Sequence, residues 1–228
     1  MLNWRVAPEN LAPLVPAGTM LDACGGSYYV SLVGFLFLRT RLLGAPIPLH
    51  RDFEEVNLRF YVRRTVGSEV RRGVCFIREL VPRAAIAITA RIAYNEPYLA
   101  VPMRHRVEPD VASHHPEYIE YGWHRRGSWT RIAAQPTGVP ALALPGSHEE
   151  FITEHYWGYT RQRDGATVEY NVVHPPWLVR RIPDPVITGD LVATYGTVFA
   201  GLLARAPDSA FLADGSGVAV HRPVRIEG

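Results

Sequence analysis

Residues 55–64 contain the cleanest alternation of apolar and polar side chains, and this pattern constrains the fold more than any other stretch of the chain. Successive side chains of a β-strand point to opposite faces, so the alternation predicts a strand with one apolar and one polar face. The apolar set is Val56, Leu58, Phe60 and Val62, and the polar set is Glu55, Asn57, Arg59, Tyr61 and Arg63.

Turn-forming residues divide the rest of the chain into short segments. Glycine and proline each occur 19 times among 228 residues, which favours many short strands over a few long helices. Two hairpins are predicted, one turning at Arg126 and Gly127 and the other at Asp164 and Gly165. Besides residues 55–64, strands are predicted at 27–39, 73–80, 118–124, 128–135, 156–162, 167–173 and 218–226.

Four helices are predicted between these strands. Ser147 and Glu150 have the spacing of a capping box, which predicts a helix running to about residue 154. Thr188 is predicted to cap a helix that reaches about residue 204. Proline-led helices are predicted at 8–14 and at the alanine-rich stretch 82–94. With no repeat or linker, the sequence predicts a single mainly-β (α+β) domain over residues 1–228, an antiparallel β-barrel or sandwich with a few short helices.

The chain contains no lysine, and all 24 of its basic side chains are arginine. Lysine is the side chain that readily forms a Schiff base with a ketone, anchors pyridoxal phosphate and completes a Walker-type phosphate loop. Arginine stays charged and is a poor nucleophile, so it can bind a carboxylate but seldom attacks a carbonyl. We therefore expect no lysine Schiff-base chemistry and no bound cofactor.

Composition also limits the partners that we expect. The formal net charge is only +2, and neighbouring residues such as Arg63 and Arg64 point to opposite faces of a strand, so we expect no nucleic acid. Cys24 and Cys75 predict reduced thiols and a cytoplasmic location. We expect no membrane span, because the longest apolar run, residues 28–38, is too short, and we see no signal peptide. A small molecule is the expected partner, and formation of a homo-oligomer stays open.

The polar face of the strand at 55–64 is the first candidate site. Side chains two residues apart on a strand lie about 6.5–7 Å apart on one face, so two neighbours can flank a small ligand. Glu55 can move a proton, Arg59 can bind a carboxylate and Tyr61 can hydrogen-bond an oxygen. Asn57 lies between them. The alternative is that a half-buried strand simply turns these polar residues towards water.

The second candidate site lies on and beside the hairpin at 156–173. His174 could act as a general base, and a rigid diproline separates it from Trp177. The alternative is a structural histidine in a turn, with Trp177 in the core. The nine histidines show no metal-ligand spacing, so no metal site is predicted. The tyrosines of this candidate site are Tyr156, Tyr159 and Tyr170.

Five short motifs follow one another in a specific order. They read LVPAGT at 14–19, EEVNLRFYV at 54–62, ARIAY at 90–94, FITEHY at 151–156 and HPPW at 174–177. In this order they resemble the YqjF-like proteins, a bacterial group of unassigned activity related to acetoacetate decarboxylase, over nearly the whole chain. The resemblance implies an acetoacetate-decarboxylase-like fold around a small cavity. It also implies that Glu55 matches a pocket glutamate, and it adds Arg91 and Tyr94 as ligand-binding candidates.

The chain departs from the decarboxylases where they use a lysine, because it has Asn95, Glu96 and Pro97 there. Three hypotheses follow. The chain binds a small carbonyl or carboxylate ligand without Schiff-base chemistry, with Arg59 or Arg91 on the carboxylate. Alternatively, it is an enzyme that uses Glu55 or His174 for acid/base chemistry on a small keto acid. The third hypothesis is an arginine-rich interaction module.

Overall fold

The computed structural model describes residues 1–42, 45–46, 52–84, 95–109 and 115–226. Most of these residues lie in short β-strands, as the sequence predicts. The strands are β1 (Leu2–Val6), β2 (Met20–Leu21), β3 (Tyr28–Phe37), β4 (Arg41–Leu42), β5 (Ala45–Pro46), β6 (Phe53–Val66), β7 (Glu69–Val81), β8 (Tyr98–Ala100), β9 (Met103–Pro109), β10 (Pro116–Arg125), β11 (Ser128–Ala134), β12 (Thr137–Leu142), β13 (Trp157–Arg161), β14 (Thr167–Val173), β15 (Leu178–Arg181), β16 (Val186–Thr188), β17 (Ser209–Ala213), β18 (Ala219–Val220) and β19 (Val224–Ile226).

One large sheet carries most of these strands. Its order is β12-β15-β17-β1-β3-β6-β7-β13-β14-β18, with β2 on β6, β8 on β7 and β19 on β14. Strand β7 pairs in parallel with β8 and β13, and the other pairings of this sheet are antiparallel. A second sheet has the order β16-β11-β10-β9, and β4 pairs with β5. The mainly-β fold class is confirmed. The pairings among described strands trace an open order, so barrel closure stays a prediction.

The longest strand, β6, lies near the middle of the large sheet between β3 and β7. Its apolar face enters the main hydrophobic core, where Val56, Leu58 and Val62 are fully buried. Trp4 of β1 and Trp123 of β10 are buried in the same core. This packing fixes which way the opposite, polar face of β6 points, because a shift of one residue would exchange the two faces.

Three described α-helices cover parts of the sheets: α1 (Pro8–Leu11), α2 (His148–Thr153) and α3 (Val192–Leu203). A 3₁₀ turn, Ala12–Leu14, follows α1, so the helical stretch predicted at 8–14 is confirmed. Helix α2 has its predicted cap, since Ser147 Oγ accepts a hydrogen bond from Glu150 N at 3.2 Å. A strict capping box requires Glu150 to accept a hydrogen bond from Ser147 N. Here Glu150 Oε2 accepts one from Gly146 N instead.

Two predictions of element bounds were wrong. Helix α3 begins at Val192 rather than after Thr188, because Thr188 pairs with Arg131 in the second sheet. The closing strand predicted at 218–226 is two short strands, β18 and β19, separated by residues 221–223. Nearly all of the helix predicted at 82–94 lies outside the described residues.

The two cysteines are free thiols: Cys24 is partly exposed and Cys75 is buried. Burial raises the pKa of the Cys75 thiol well above its ordinary value. A buried thiol held in its protonated form packs as a small apolar side chain. Among the described helices, none is both long and apolar enough to cross a membrane.

Gly73 is required where β7 and β13 run in parallel. It pairs with Trp157, and a Cβ atom at this position would lie 2.6 Å from the Trp157 backbone oxygen. We therefore expect Gly73→Ala to lower the free energy of unfolding by about 1–3 kcal/mol, since the backbone must move to relieve the clash. Urea unfolding measures this change. Gly201→Ala is the matched control, because open space surrounds Gly201 on helix α3. It should leave stability unchanged or raise it by up to about 1 kcal/mol, and an equal loss in both variants would contradict the close-packing argument.

Candidate functional site

The polar row, Glu55, Asn57, Arg59 and Tyr61, is buried rather than turned to water. Glu55 and Asn57 are each 2% exposed and Tyr61 is 1% exposed, while Arg59 is partly buried. The alternative of a solvent-facing row is therefore wrong. Strand β6 is covered on both faces, and a row of polar side chains inside a protein needs partners for its hydrogen-bonding groups.

Helix α2 covers the row at its Tyr61 end. Phe151 and Ile152 are buried in an apolar cluster with Tyr61, and the Phe151 ring lies edge-on to the Tyr61 ring at 5.2 Å. Arg59 Nη2 donates a hydrogen bond to the Ile152 backbone oxygen at 3.1 Å. The Tyr61 hydroxyl shares a 2.6 Å hydrogen bond with Ser31 Oγ. These contacts fix both side chains of the row at this end.

Three buried glutamates gather at the other end of the row, and we call Glu55, Glu79 and Glu96 the carboxyl cluster. Glu79 lies on β7 directly opposite Asn57. Glu55 Oε1 accepts a hydrogen bond from Asn57 Nδ2 at 3.1 Å, and Glu55 Oε2 accepts one from the Tyr98 hydroxyl at 3.2 Å. Asn57 and Tyr98 therefore hold both oxygens of Glu55 in place.

Glu96 is held by the hairpin of β13 and β14. Its Oε1 accepts a short hydrogen bond from the Tyr170 hydroxyl and a 3.5 Å one from Thr160 Oγ1. Glu96 follows a residue in the left-handed region, since Asn95 has φ of 57°. That turn places Glu96 and Tyr98 beside strands that are far away in sequence.

Burial dominates the acidity of the carboxyl cluster. It raises the pKa of Glu55 to about 7, against the lowering effect of the hydrogen bond from Asn57. Burial likewise raises the pKa of Glu96 to about 7, against the hydrogen bond from Tyr170. Burial and the neighbouring Glu96 and Glu55 raise the pKa of Glu79 well above its ordinary value. Carboxyl groups so tuned can give or take a proton near neutral pH.

Several buried polar atoms along this face have no hydrogen-bond partner within the described structure. They include Asn57 Oδ1, Arg59 Nε and Glu79 Oε2. One is an acceptor, one is a donor, and Glu79 Oε2 donates when protonated. Leaving such a group unsatisfied costs about 1–3 kcal/mol, so each is a place where water or a ligand would bind favourably.

The second candidate site forms an aromatic stack. The His174 ring lies parallel to the Trp177 ring, with 4.0 Å between centroids and 15° between planes, and 4.8 Å from the Tyr156 ring. His174 Nδ1 lies 2.9 Å from the Pro175 backbone oxygen, and Trp177 Nε1 donates to Ser216 Oγ at 2.8 Å. The structure thus brings these three predicted residues together, and contacts with nearby residues hold His174 and Trp177 in place. From the same prediction, Tyr170 instead joins the carboxyl cluster, and Tyr159 is buried in the main core.

Two candidate residues and the expected cavity remain outside what the structure describes. Arg91 and Tyr94 lie outside the described residues. Over the ranges that are described, there is no group of three or more His, Cys, Asp or Glu side chains arranged to hold a metal ion. Two surface clefts, of about 380 and 350 Å³, lie away from Glu55 and Asn57. An enclosed cavity at the polar row therefore stays a prediction.

Sequence reasoning missed Glu79, Tyr98 and the role of Glu96. Glu79 is one of two polar residues at the end of a stretch that reads as an ordinary strand, so nothing marks it as buried. Tyr98 directly follows Asn95, Glu96 and Pro97, the segment where the chain departs from the decarboxylases, and this position is a usable signal. The pairing of Glu55 with Asn57 at spacing two was the one contact of the site that the alternation itself predicted.

Several arginines that lie next to another arginine in the sequence bind groups of the chain itself. Arg64 and Arg71 bind the two oxygens of the buried Glu169 at 2.9 and 2.8 Å. Arg180 Nη2 donates to the Pro116 backbone oxygen at 2.9 Å. Such contacts support the fold, so these side chains offer no argument for the interaction-module hypothesis.

The fold is that of the acetoacetate-decarboxylase-like proteins. The chain aligns with acetoacetate decarboxylase from Legionella pneumophila subsp. pneumophila str. Philadelphia 1 at a TM-score of 0.64 and 10% identity, over 99% of this chain and 83% of that chain. It aligns with the enduracididine biosynthesis enzyme MppR complexed with pyruvate at a TM-score of 0.62 and 15% identity, over 91% of this chain and 79% of that chain. At these identities the likeness shows the fold alone.

Sequence comparison assigns the family. Residues 1–217 match the model of the DUF2071 family, described as uncharacterized conserved protein, and the chain belongs to that family. It is also 25% identical to the uncharacterized protein YqjF of Bacillus subtilis (strain 168) over 195 residues, which are 85% of this chain and 77% of that protein. The resemblance to the YqjF-like proteins is confirmed.

The raised pKa of Glu55 predicts a pH-dependent difference between the wild type and Glu55→Gln. The folded chain keeps the Glu55 proton up to a pH of about 7, whereas the unfolded chain loses it near 4.5. The stability contributed by the protonated group is thus complete below about 4.5 and is lost as the pH rises to about 7. The free energy of unfolding of Glu55→Gln should therefore rise relative to that of the wild type by about 1.4 kcal/mol for each pH unit across this window. Urea unfolding between pH 4.5 and 8 measures the difference.

Glu108→Gln is the control for this prediction, because Glu108 is an exposed glutamate on β9. Its stability relative to the wild type should not change with pH across the same window. Groups with shifted pKa values outside the carboxyl cluster are common to all three proteins and cancel in the comparison. Within the cluster, removing the Glu55 charge also lowers the pKa of Glu79. A difference between Glu55→Gln and wild type that stays constant with pH would contradict the burial of an ionisable Glu55.

Proposed function

We propose that this chain binds a small carbonyl or carboxylate compound non-covalently at the polar row, beside the carboxyl cluster. The observation that carries this proposal is the set of buried, unpartnered polar atoms Asn57 Oδ1, Arg59 Nε and Glu79 Oε2. A protein rarely keeps such atoms dry and unpaired, and these three line one face of two neighbouring strands.

The chemistry of Arg59 Nε and Glu79 Oε2 matches a small oxo acid, whereas Asn57 Oδ1 requires a donor. The Arg59 guanidinium can donate a charge-assisted hydrogen bond to a carboxylate oxygen. Burial and the neighbouring glutamates raise the pKa of Glu79 well above its ordinary value, and in its protonated form it can donate to a ketone oxygen. Two other carboxyl groups lie close by, so a ligand with a single negative charge is favoured over a more highly charged one.

The shared fold supports the same class of ligand. One solved structure with this fold is a complex with pyruvate, a small keto acid, and another is a decarboxylase of acetoacetate. This chain lacks the lysine amine that forms an imine, so the ligand is bound by hydrogen bonds and charge.

Thermal unfolding in the presence of pyruvate or acetoacetate tests this proposal. A ligand at 100 times its Kd stabilises the folded state by about 2.7 kcal/mol, which raises the Tm of a chain of this size by about 5–10 °C. Glu55→Gln and Asn57→Ala should each reduce the shift at a fixed ligand concentration, and Glu108→Gln should keep it. Equal shifts in the wild type and Glu55→Gln, or no shift with either compound, would count against the proposal.

A second candidate function is proton transfer on a small keto acid by Glu55. The observation that favours it is the pKa of about 7 that burial gives Glu55, which suits a general base working at neutral pH. His174 is the less favoured base, because its ring contacts two aromatic side chains and its Nδ1 contacts its own turn.

Hydrogen exchange at the carbon beside the ketone tests this second function. In D₂O, wild-type protein should speed deuterium incorporation into the methyl group of pyruvate, followed by NMR. Glu55→Gln should lower that rate by about 10²-fold or more, the usual contribution of a positioned acid or base. His174→Gln decides between the two bases: if it abolishes exchange and Glu55→Gln does not, Glu55 is not the base.

A further inference from the structure

A second buried polar group lies at the Tyr61 end of the polar row. Asp22 Oδ2 accepts a hydrogen bond from Arg72 Nε at 2.7 Å and lies 3.3 Å from His155 Nε2. The His155 side chain is 1% exposed and that of Asp22 is 6% exposed. Asp22 N donates to the Tyr61 backbone oxygen at 3.0 Å, so the group is fixed to strand β6.

The hydrogen bond between Asp22 and His155 determines which imidazole nitrogen carries the proton. Burial acts to raise the pKa of Asp22, but the hydrogen bonds from His155 and Arg72 outweigh it, so the pKa is lowered and the carboxylate is charged. Burial lowers the pKa of His155 to about 4, so its ring is neutral at pH 7. A neutral ring beside a carboxylate places its one proton on Nε2, which leaves Nδ1 as an acceptor.

This acceptor lies beside the polar row. His155 Nδ1 and Arg59 Nε are both buried without a hydrogen-bond partner in the described structure. The His155 ring lies 4.7 Å from the Tyr61 ring, and the Arg59 guanidinium carbon lies 5.7 Å from the same ring. The charge of Arg59 also acts on the acidity of His155. The unpaired acceptor therefore lies beside the ring of Tyr61, a residue of the polar row.

We propose that the ligand of the polar row also carries a hydroxyl group, which donates a hydrogen bond to His155 Nδ1. A hydroxyl group can donate the hydrogen bond that this nitrogen needs, whereas a ketone oxygen only accepts. His155 is then a binding residue that sets specificity, and Asp22 is its positioning residue. The inference rests on the proposed function, in which the carbonyl or carboxylate end of the ligand binds at Arg59 and Glu79.

Matched pairs of ligands test the inference without any substitution. Isothermal titration calorimetry compares 2-oxobutanoate with 4-hydroxy-2-oxobutanoate, and 2-oxohexanoate with 6-hydroxy-2-oxohexanoate. Two chain lengths are used because neighbouring positions of the row are about 6.5–7 Å apart. In at least one pair the hydroxylated compound should bind wild-type protein about tenfold more tightly, the effect of one added hydrogen bond that satisfies a buried group.

Variants assign the preference to His155. His155→Phe keeps a ring but removes the acceptor, so the affinity ratio within the responsive pair should fall to about one. Asp22→Asn no longer fixes the proton on Nε2 and should also lower the ratio, while the non-hydroxylated compound still binds. The control is His148→Phe, because His148 is a half-buried histidine that packs on the Tyr29 ring at 4.5 Å. Its ratio should equal that of the wild type.

The outcomes separate the two proposals. If wild-type protein binds both members of both pairs equally, the hydroxyl subsite is wrong and the proposed function stands. If none of the four compounds binds, the proposed function fails and the subsite fails with it. A preference that survives in folded His155→Phe would also overturn the subsite. Should that variant not fold, the wild-type ratios alone still decide.

Discussion

Desolvation of acidic groups is the constraint on which the interior of this protein depends. Strand β6 is buried on both faces, so the glutamate and asparagine on its polar face lie away from water, next to two more glutamates from β7 and the segment after residue 94. Three carboxyl groups cannot all be charged there. The cluster stays buried because its carboxyl groups hold protons and because the hydroxyl groups of Tyr98 and Tyr170 donate hydrogen bonds to it.

The fold assembles this interior from segments that are distant in sequence. The bond from Tyr170 to Glu96 joins residues 74 positions apart, and that from Arg59 to Ile152 joins residues 93 apart. The first fixes the hairpin of β13 and β14, and the second fixes helix α2. Helix α2 therefore covers the Tyr61 end of the polar face of β6, and the hairpin holds Glu96 near Glu55. The burial that raises the pKa values there also leaves the unpaired polar atoms.

The sequence predicted the site in part and the strands β3, β6, β7, β10, β11, β13 and β14, but the prediction omitted β1, β9, β12, β15 and β17. Alternation shows which residues share a face, so it grouped Glu55 with Asn57 correctly. It carries no information about what covers that face, and for this reason burial of the polar row could not be read from residues 55–64 alone. Glu79 could not be found because a buried glutamate in a strand looks like an exposed one. Thr188 misled because a good capping residue also pairs well in a sheet.

The grip of Arg64 and Arg71 on Glu169 joins the long hairpin of β6 and β7 to β14. A guanidinium group has a flat array of donors that an ammonium group cannot copy, so lysine would be a poor replacement at either position. Exposed arginines such as Arg63 carry no such requirement. One lysine installed there would be the sole side-chain amine of the molecule. It would be the one side chain to which an amine-reactive dye, surface or crosslinker attaches.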